Sequence, residues 1–174
     1  MPISIFEASV PVYMQMLDAL SGVLAKGAAD AAARKIDPAV LLSTRLYPDM
    51  FPFTRQVQIA CDFARKPLGR LAGVELANIA DEEKTFGELE ARVATTLDFI
   101  RGLKPGDIDA GAERDITFPV GPKQVTLQGR NYLFHFALPN FFFHYTTAYA
   151  ILRHCGVEIG KFDFMGKVPG FAPM

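Results

Sequence analysis

The stretch PNFFFHYTTAYAILRHCG, Pro139 to Gly156, decides how the chain is read. A proline at its start and a glycine at its end bracket a helix, since proline suits the first turn and glycine a C-terminal stop. The segment holds two of the three histidines, one of the two cysteines and three consecutive phenylalanines. On a helix, His144 shares a face with Asn140, Ala148, Ile151 and Cys155, at steps of four, three and four. That face carries no charge, so it is expected to look inward. A histidine in a helical core either binds something or is a neutral core residue bonded to a neighbouring side chain.

Three more long helices are expected upstream. Ser4 and Glu7 have the spacing of a capping box, and Phe6, Val10, Tyr13, Leu17, Leu20 and Leu24 then make one apolar stripe, with Gly27 as its end. Pro11 falls early enough to cause only a slight bend. Asp37-Pro38 reads as an N-cap and first helical residue of a single turn to Leu42. The second long helix is expected over 51–65, with Phe53, Val57, Ala60 and Ala64 on one face, and Lys66-Pro67 stopping or kinking it. Thr85 and Glu88 repeat the capping box before a third stripe of Phe86, Leu89, Val93, Leu97 and Ile100, ended by Pro105-Gly106. The pattern then changes to period two. Residues 114–120 and 123–127, joined by Gly121-Pro122, read as a β-hairpin that must pack on the helices to be stable. The run 129–138 is helical or irregular, Pro139 resets the chain, and the tail from Val157 to Met174 is expected to cross the surface as a loop.

Composition agrees with one globular domain over residues 1–174: half the residues are hydrophobic and about a fifth charged. With 18 basic against 19 acidic residues and no basic stripe, nucleic-acid binding by phosphate neutralisation is not expected. No apolar run reaches membrane-span length, so no membrane partner is expected. MPISIFEASV lacks the features of an export signal, so Cys61 and Cys155 are expected as reduced thiols in a cytoplasm.

The candidate chemistry centres on His144. Asn140, one turn before it, offers a second polar group, although amides are weak ligands for zinc or nickel. Gln56, Gln58 and Asp62 lie between apolar residues of the second long helix; one of them facing inward would orient the His144 ring, and otherwise they are a solvated strip. Tyr149 is counted with these in the expected pocket. His154 sits where a positive ring meets the helix C-terminus, and His135 is free to approach the same cavity. Cys61 and Cys155 read as small hydrophobes. Asp81-Glu82-Glu83-Lys84 reads as helix-start charge. Phosphate loops, nucleophile elbows and HExxH motifs are absent from the sequence.

The chain resembles the DinB/YfiT-like metalloenzyme superfamily, and more closely a bacterial domain-of-unknown-function family within it. The resemblance is carried by Arg45-Leu46-Tyr47-Pro48-Asp49-Met50-Phe51-Pro52 with Gln56 and Gln58, by Phe136-Ala137-Leu138-Pro139-Asn140-Phe141, by His144 to His154, and by Gly160-Lys161. It implies an all-α four-helix bundle in up-down-down-up order, here with a small β-hairpin between helices three and four. Many superfamily members hold a divalent metal with an H-x-x-x-H pair on the last helix and a third histidine on helix two. His144 matches the second of the pair. Asn140 stands at the first, and helix two has only Gln58, Cys61 or Asp62 near the third place. The chain therefore departs from the pattern at two of three ligands.

Two functions follow as expectations. The leading one is a cytoplasmic, dimeric protein binding a small molecule in a polar pocket around His144, with no metal. The other is a transferase or hydrolase using zinc, nickel or manganese on altered ligands, namely His144, Asn140 and a helix-two Gln or Asp. A purely structural role for His144 is the third reading.

Overall fold

The structure, a computed structural model, describes residues 3–171, so Met1, Pro2 and the last three residues of the expected domain and tail lie outside it. The fold is mostly helical with one small antiparallel sheet. Four long helices carry it: α1 (Val10–Ala33), α3 (Phe53–Ala72), α4 (Phe86–Arg101) and α7 (Leu138–His154). Short helices α2 (Pro38–Ser43), α5 (Pro105–Ala110), α6 (Gly129–Tyr132) and α8 (Lys161–Met165) and the hairpin β1 (Asp115–Val120) and β2 (Lys123–Gln128) fill the connections. α3 packs on α7, α1 on α4, and α3 on α4. Their buried faces join in one apolar core, which includes Tyr13, Leu17, Phe53, Leu89, Phe141 and Tyr145.

The stripes appear as the spacing demands, but several boundaries differ. The Ser4–Glu7 hydrogen bonds form, yet they close a turn before α1 rather than its first turn. Pro11 then falls in the first turn of α1. Gly27 does not end α1. It is buried mid-helix, where a Cβ would stand 3.0 Å from both Leu152 and Phe86, so its role is close helix approach. Asp37 caps α2 as expected, accepting from the Ala39 amide at 2.9 Å. The Thr85–Glu88 capping box forms at α4.

Pro67 does not stop α3. Proline removes one rung of the hydrogen-bond ladder, but Leu68 and Leu71 beyond it are fully buried in the core and hold the chain helical. The helix ends instead at Gly73, whose left-handed φ of 71° lets its amide reach the Arg70 and Gly69 carbonyls.

Pro139 does not reset the chain either. Residues 129–154 are continuously helical, with a π-helical segment at Leu133–Ala137. Pro139 has no N–H to continue the ordinary ladder, and the turn before it widens so that the Leu138 amide donates to the Leu133 carbonyl. The expected surface loop near the C-terminus contains α8, which packs on α1. Pro105 does not end α4, which stops at Arg101 with Gly102 as its cap; Pro105 instead opens α5.

The hairpin pairs Asp115 with Gln128 through Val120 with Lys123, as the alternation requires. Its buried face, Ile116 and Phe118, turns onto the helices. The segment 74–85 runs back along α3. Arg65 donates to the Ala77 carbonyl at 2.9 Å, Gln58 to Glu83 at 2.8 Å, and Arg55 pairs with Asp81. Asp81 and Glu83 are therefore tethers, and Arg92 on α4 gathers both together with Asp62 at 2.9–3.0 Å.

Candidate functional site

One face of α3 presents Arg55, Ile59, Asp62, Phe63, Lys66, Pro67 and Arg70 at helical spacing. Opposite stand Tyr132 of α6, Phe136 of the π-helical segment and His144 of α7, and the hairpin closes one side with Phe118 and Pro119. Together they enclose an open cavity of about 360 Å³, within the range of small-molecule sites. Its walls combine aromatic rings with charged side chains of α3. Phe118 lies 4.4 Å from Tyr132 and 4.8 Å from Phe136 between ring centres, and Phe63 stacks against His144 at 6.0 Å.

The state of His144 follows from its partners. Gln56 is 1% exposed, and its amide nitrogen donates to the Phe51 carbonyl at 3.1 Å. The Gln56 oxygen is thereby turned to His144, 2.7 Å from Nδ1. An amide oxygen only accepts, so Nδ1 carries the proton and Nε2 carries the lone pair. Nε2 has no protein partner among the described residues, and the ring lines the cavity. Burial, and then the nearby charge of Arg55, lower the His144 pKa to about 4, so the ring is neutral at pH 7.

The expected pocket residues separate. Gln56 meets His144, and Asp62 stands on the cavity wall with its two oxygens on Lys66 and Arg92. Asn140 donates back to the Phe136 carbonyl at 2.7 Å and does not line the cavity. Gln58 is buried between Arg55 and Glu83. Tyr149 lies away from the cavity, its ring 5.4 Å from Phe164 of α8. His135 and His154 are exposed and stand outside the cavity lining. Cys61 is buried and burial pushes its thiol up to about 12, so it is no thiolate. The aromatic and cationic walls, Phe63, Phe118, Tyr132, Phe136 and Arg70, were not expected. Arg55, Asp62, Lys66 and Arg70 do recur at helical spacing, a signal that becomes visible once α3 is carried through Pro67.

These donors do not fit a divalent metal. His144 keeps one free ring nitrogen, Nε2, but both Asp62 oxygens are engaged by cations and Asn140 does not line the cavity, so no second and third ligand stand beside it. Among the described residues no three His, Cys, Asp or Glu side chains converge as a metal-holding group. The same residues include no helix long and apolar enough to cross a membrane.

A protein-family model described as Domain of unknown function (DUF1993) matches residues 5–165. The chain belongs to the DUF1993 family. This DUF1993 chain is also similar to the crystal structure of a DinB family member protein from Shewanella denitrificans, at 38% identity and a TM-score of 0.89, over 97% of this chain and 96% of that one. A search of curated proteins found no match. The family and the likeness together make this a DinB-like domain, as the motifs around His144 imply.

Proposed function

We propose that this DUF1993 chain is a single-domain, cytoplasmic small-molecule-binding protein that takes its ligand in the cavity between α3, α7 and the hairpin. The observation that carries this reading is the His144 ring, which lines a cavity of about 360 Å³ with Nδ1 held by Gln56 and Nε2 left without a protein partner among the described residues. A preformed cleft with few, oriented polar groups is the usual form of such a site. Metal-dependent transfer or hydrolysis receives no support from these donors.

The reading includes an up-down-down-up bundle. Phe53 and Phe86, at the starts of α3 and α4, have ring centres 5.8 Å apart, and Arg65 lies over Phe99 further along both helices, which supports a parallel pair. Gln56 with His144 and Phe63 with Phe136 support an antiparallel α3–α7 pair. It also includes a homodimer. Leu46 and the exposed Phe143 share an outer apolar groove, of the kind a partner covers.

The test is a thermal-shift screen of tag-free protein against neutral, cationic and anionic organic compounds, alongside elemental analysis with added Zn, Ni and Mn. Stabilisation of the wild type that disappears in Ile59→Trp, which fills the cavity, supports the proposal. A stoichiometric metal lost in His144→Ala overturns it, and so does a screen in which no compound stabilises the protein.

A further inference from the structure

The cavity has two polar ends, and between them aromatic rings face an α3 wall on which Asp62 and Lys66 neutralise each other. At one end His144 offers the bare Nε2, a hydrogen-bond acceptor. At the other end stands Arg70. Arg55 is paired with Asp81, and Lys66 with Asp62, whereas Arg70 has no carboxylate partner among the described residues. Its guanidinium lies over Phe118 and Tyr132, 5.9 Å from each ring centre, and one N–H donates to the Tyr132 hydroxyl at 2.6 Å. Two aromatic faces and a phenol hold this cation in place without neutralising it. Its remaining N–H groups form a fork suited to a carboxylate.

Between the ends lie Ile59, Phe63, Phe118 and Phe136. Phe63 stacks on His144, and from Phe63 to Arg70 α3 advances about 10 Å, a distance the back-leaning arginine side chain shortens. Arg55 close to His144 disfavours a cationic amine at that end.

We infer that the ligand is a flat, unsaturated carboxylic acid with a hydroxyl at its far end: the carboxylate on Arg70, the hydroxyl donating to His144 Nε2, and the carbon frame against Phe63, Phe118 and Phe136. This rests on the small-molecule reading of the cavity and gives it a chemical class.

Calorimetric titration of the full chain with trans-4-hydroxycinnamate, trans-cinnamate and 4-vinylphenol tests it. The first probe has both polar ends, and each of the others lacks one. The hydroxy acid is expected to bind about tenfold or more tighter than either, the range of one charge-assisted or oriented hydrogen bond. Arg70→Gln, a half-buried substitution, removes the preference over 4-vinylphenol, and His144→Phe removes the preference over cinnamate. Equal binding of the three probes overturns the inference, as does a preference over 4-vinylphenol that survives Arg70→Gln. If the hydroxy acid fails to bind while neutral or cationic compounds stabilise the wild type but not Ile59→Trp, the acid class falls and the small-molecule reading stands. If no compound of any charge stabilises the protein, both fall.

Discussion

The Gln56 oxygen lies 2.7 Å from His144 Nδ1 while the Gln56 amide nitrogen is held by the Phe51 carbonyl, so one glutamine fixes both the orientation and the tautomer of a ring 88 residues away. Phe51 and Gln56 belong to the start of α3 and its approach, and His144 to the middle of α7. The α3–α7 packing is therefore what sets the ring against the cavity and leaves Nε2 as its unpaired nitrogen. The same burial that orients the ring keeps it uncharged.

A pH dependence follows. The His144 pKa falls from an ordinary 6.5 to about 4 in the folded protein. Between those values the unfolded chain binds the extra proton, so stability rises with pH there. The contribution is fully present above pH 6.5 and is lost as pH falls toward 4, by up to about 3 kcal/mol. Urea unfolding of wild type and His144→Gln across pH 4 to 7.5 checks this. The advantage of wild type over the variant should shrink as pH drops through that window, and a constant difference would contradict it.

Tyr13 is fully buried, and its hydroxyl has no hydrogen-bond partner among the described residues. Its ring packs edge-on to Phe141 at 4.9 Å. An unpaired buried hydroxyl costs free energy, and the ring alone does the packing. Tyr13→Phe should therefore leave stability unchanged or raise it by up to about 1 kcal/mol, against the usual loss for a core substitution. A chemical denaturation midpoint below that of wild type would show that the hydroxyl has a partner after all.

The long helices and the hairpin were legible because burial imposes a period on sequence, 3.6 in α3 or α4 and two from Asp115 to Pro119. Proline misled at both Pro67 and Pro139, because its local cost is offset by the core burial of Leu68 and Leu71 in one case and by a widened turn in the other. The His144 face was legible as uncharged, but its partner was not. Gln56, Gln58 and Asp62 look alike in sequence. Which one reaches the ring depends on helix rotation, and only the α3–α7 packing sets that. The Arg70 end of the cavity depends on contacts between the hairpin and α3, which no local pattern encodes.

Arg92 is nearly fully buried and pairs with Asp62, Asp81 and Glu83. Burial opposes its charge, yet the hydrogen bond with Glu83 and the charges of Asp62 and Glu83 outweigh it and raise its pKa. Arg92→Met would strand acidic groups in the fold. The expected loss is about 3 kcal/mol, read from urea unfolding, and adding Glu83→Gln should recover part of it. If Arg92→Met costs nothing, the knot is not what ties residues 74–85 to α3.

Gly129 joins the hairpin to α6 where backbone presses closer than at any other described glycine. A Cβ there would stand 2.0 Å from the Gly111 carbonyl oxygen and 2.8 Å from Leu71. Gly111 is itself pressed against the Leu71 backbone, where a Cβ would meet the carbonyl oxygen at 2.4 Å. Backbone cannot move aside as a side chain does, so Gly129→Ala must displace the hairpin from the C-terminal turn of α3. A loss on the order of 3 kcal/mol is expected. The hairpin carries Phe118 and Pro119, which close the cavity and seat Arg70. Gly129→Ala should therefore weaken ligand binding even under conditions where circular dichroism shows the helices intact. By contrast, Gly87→Ala, at a site with nothing within 4 Å, should leave binding and the unfolding midpoint as in wild type. Equal behaviour of the two variants would show that the hairpin's seat on α3 does not shape the cavity.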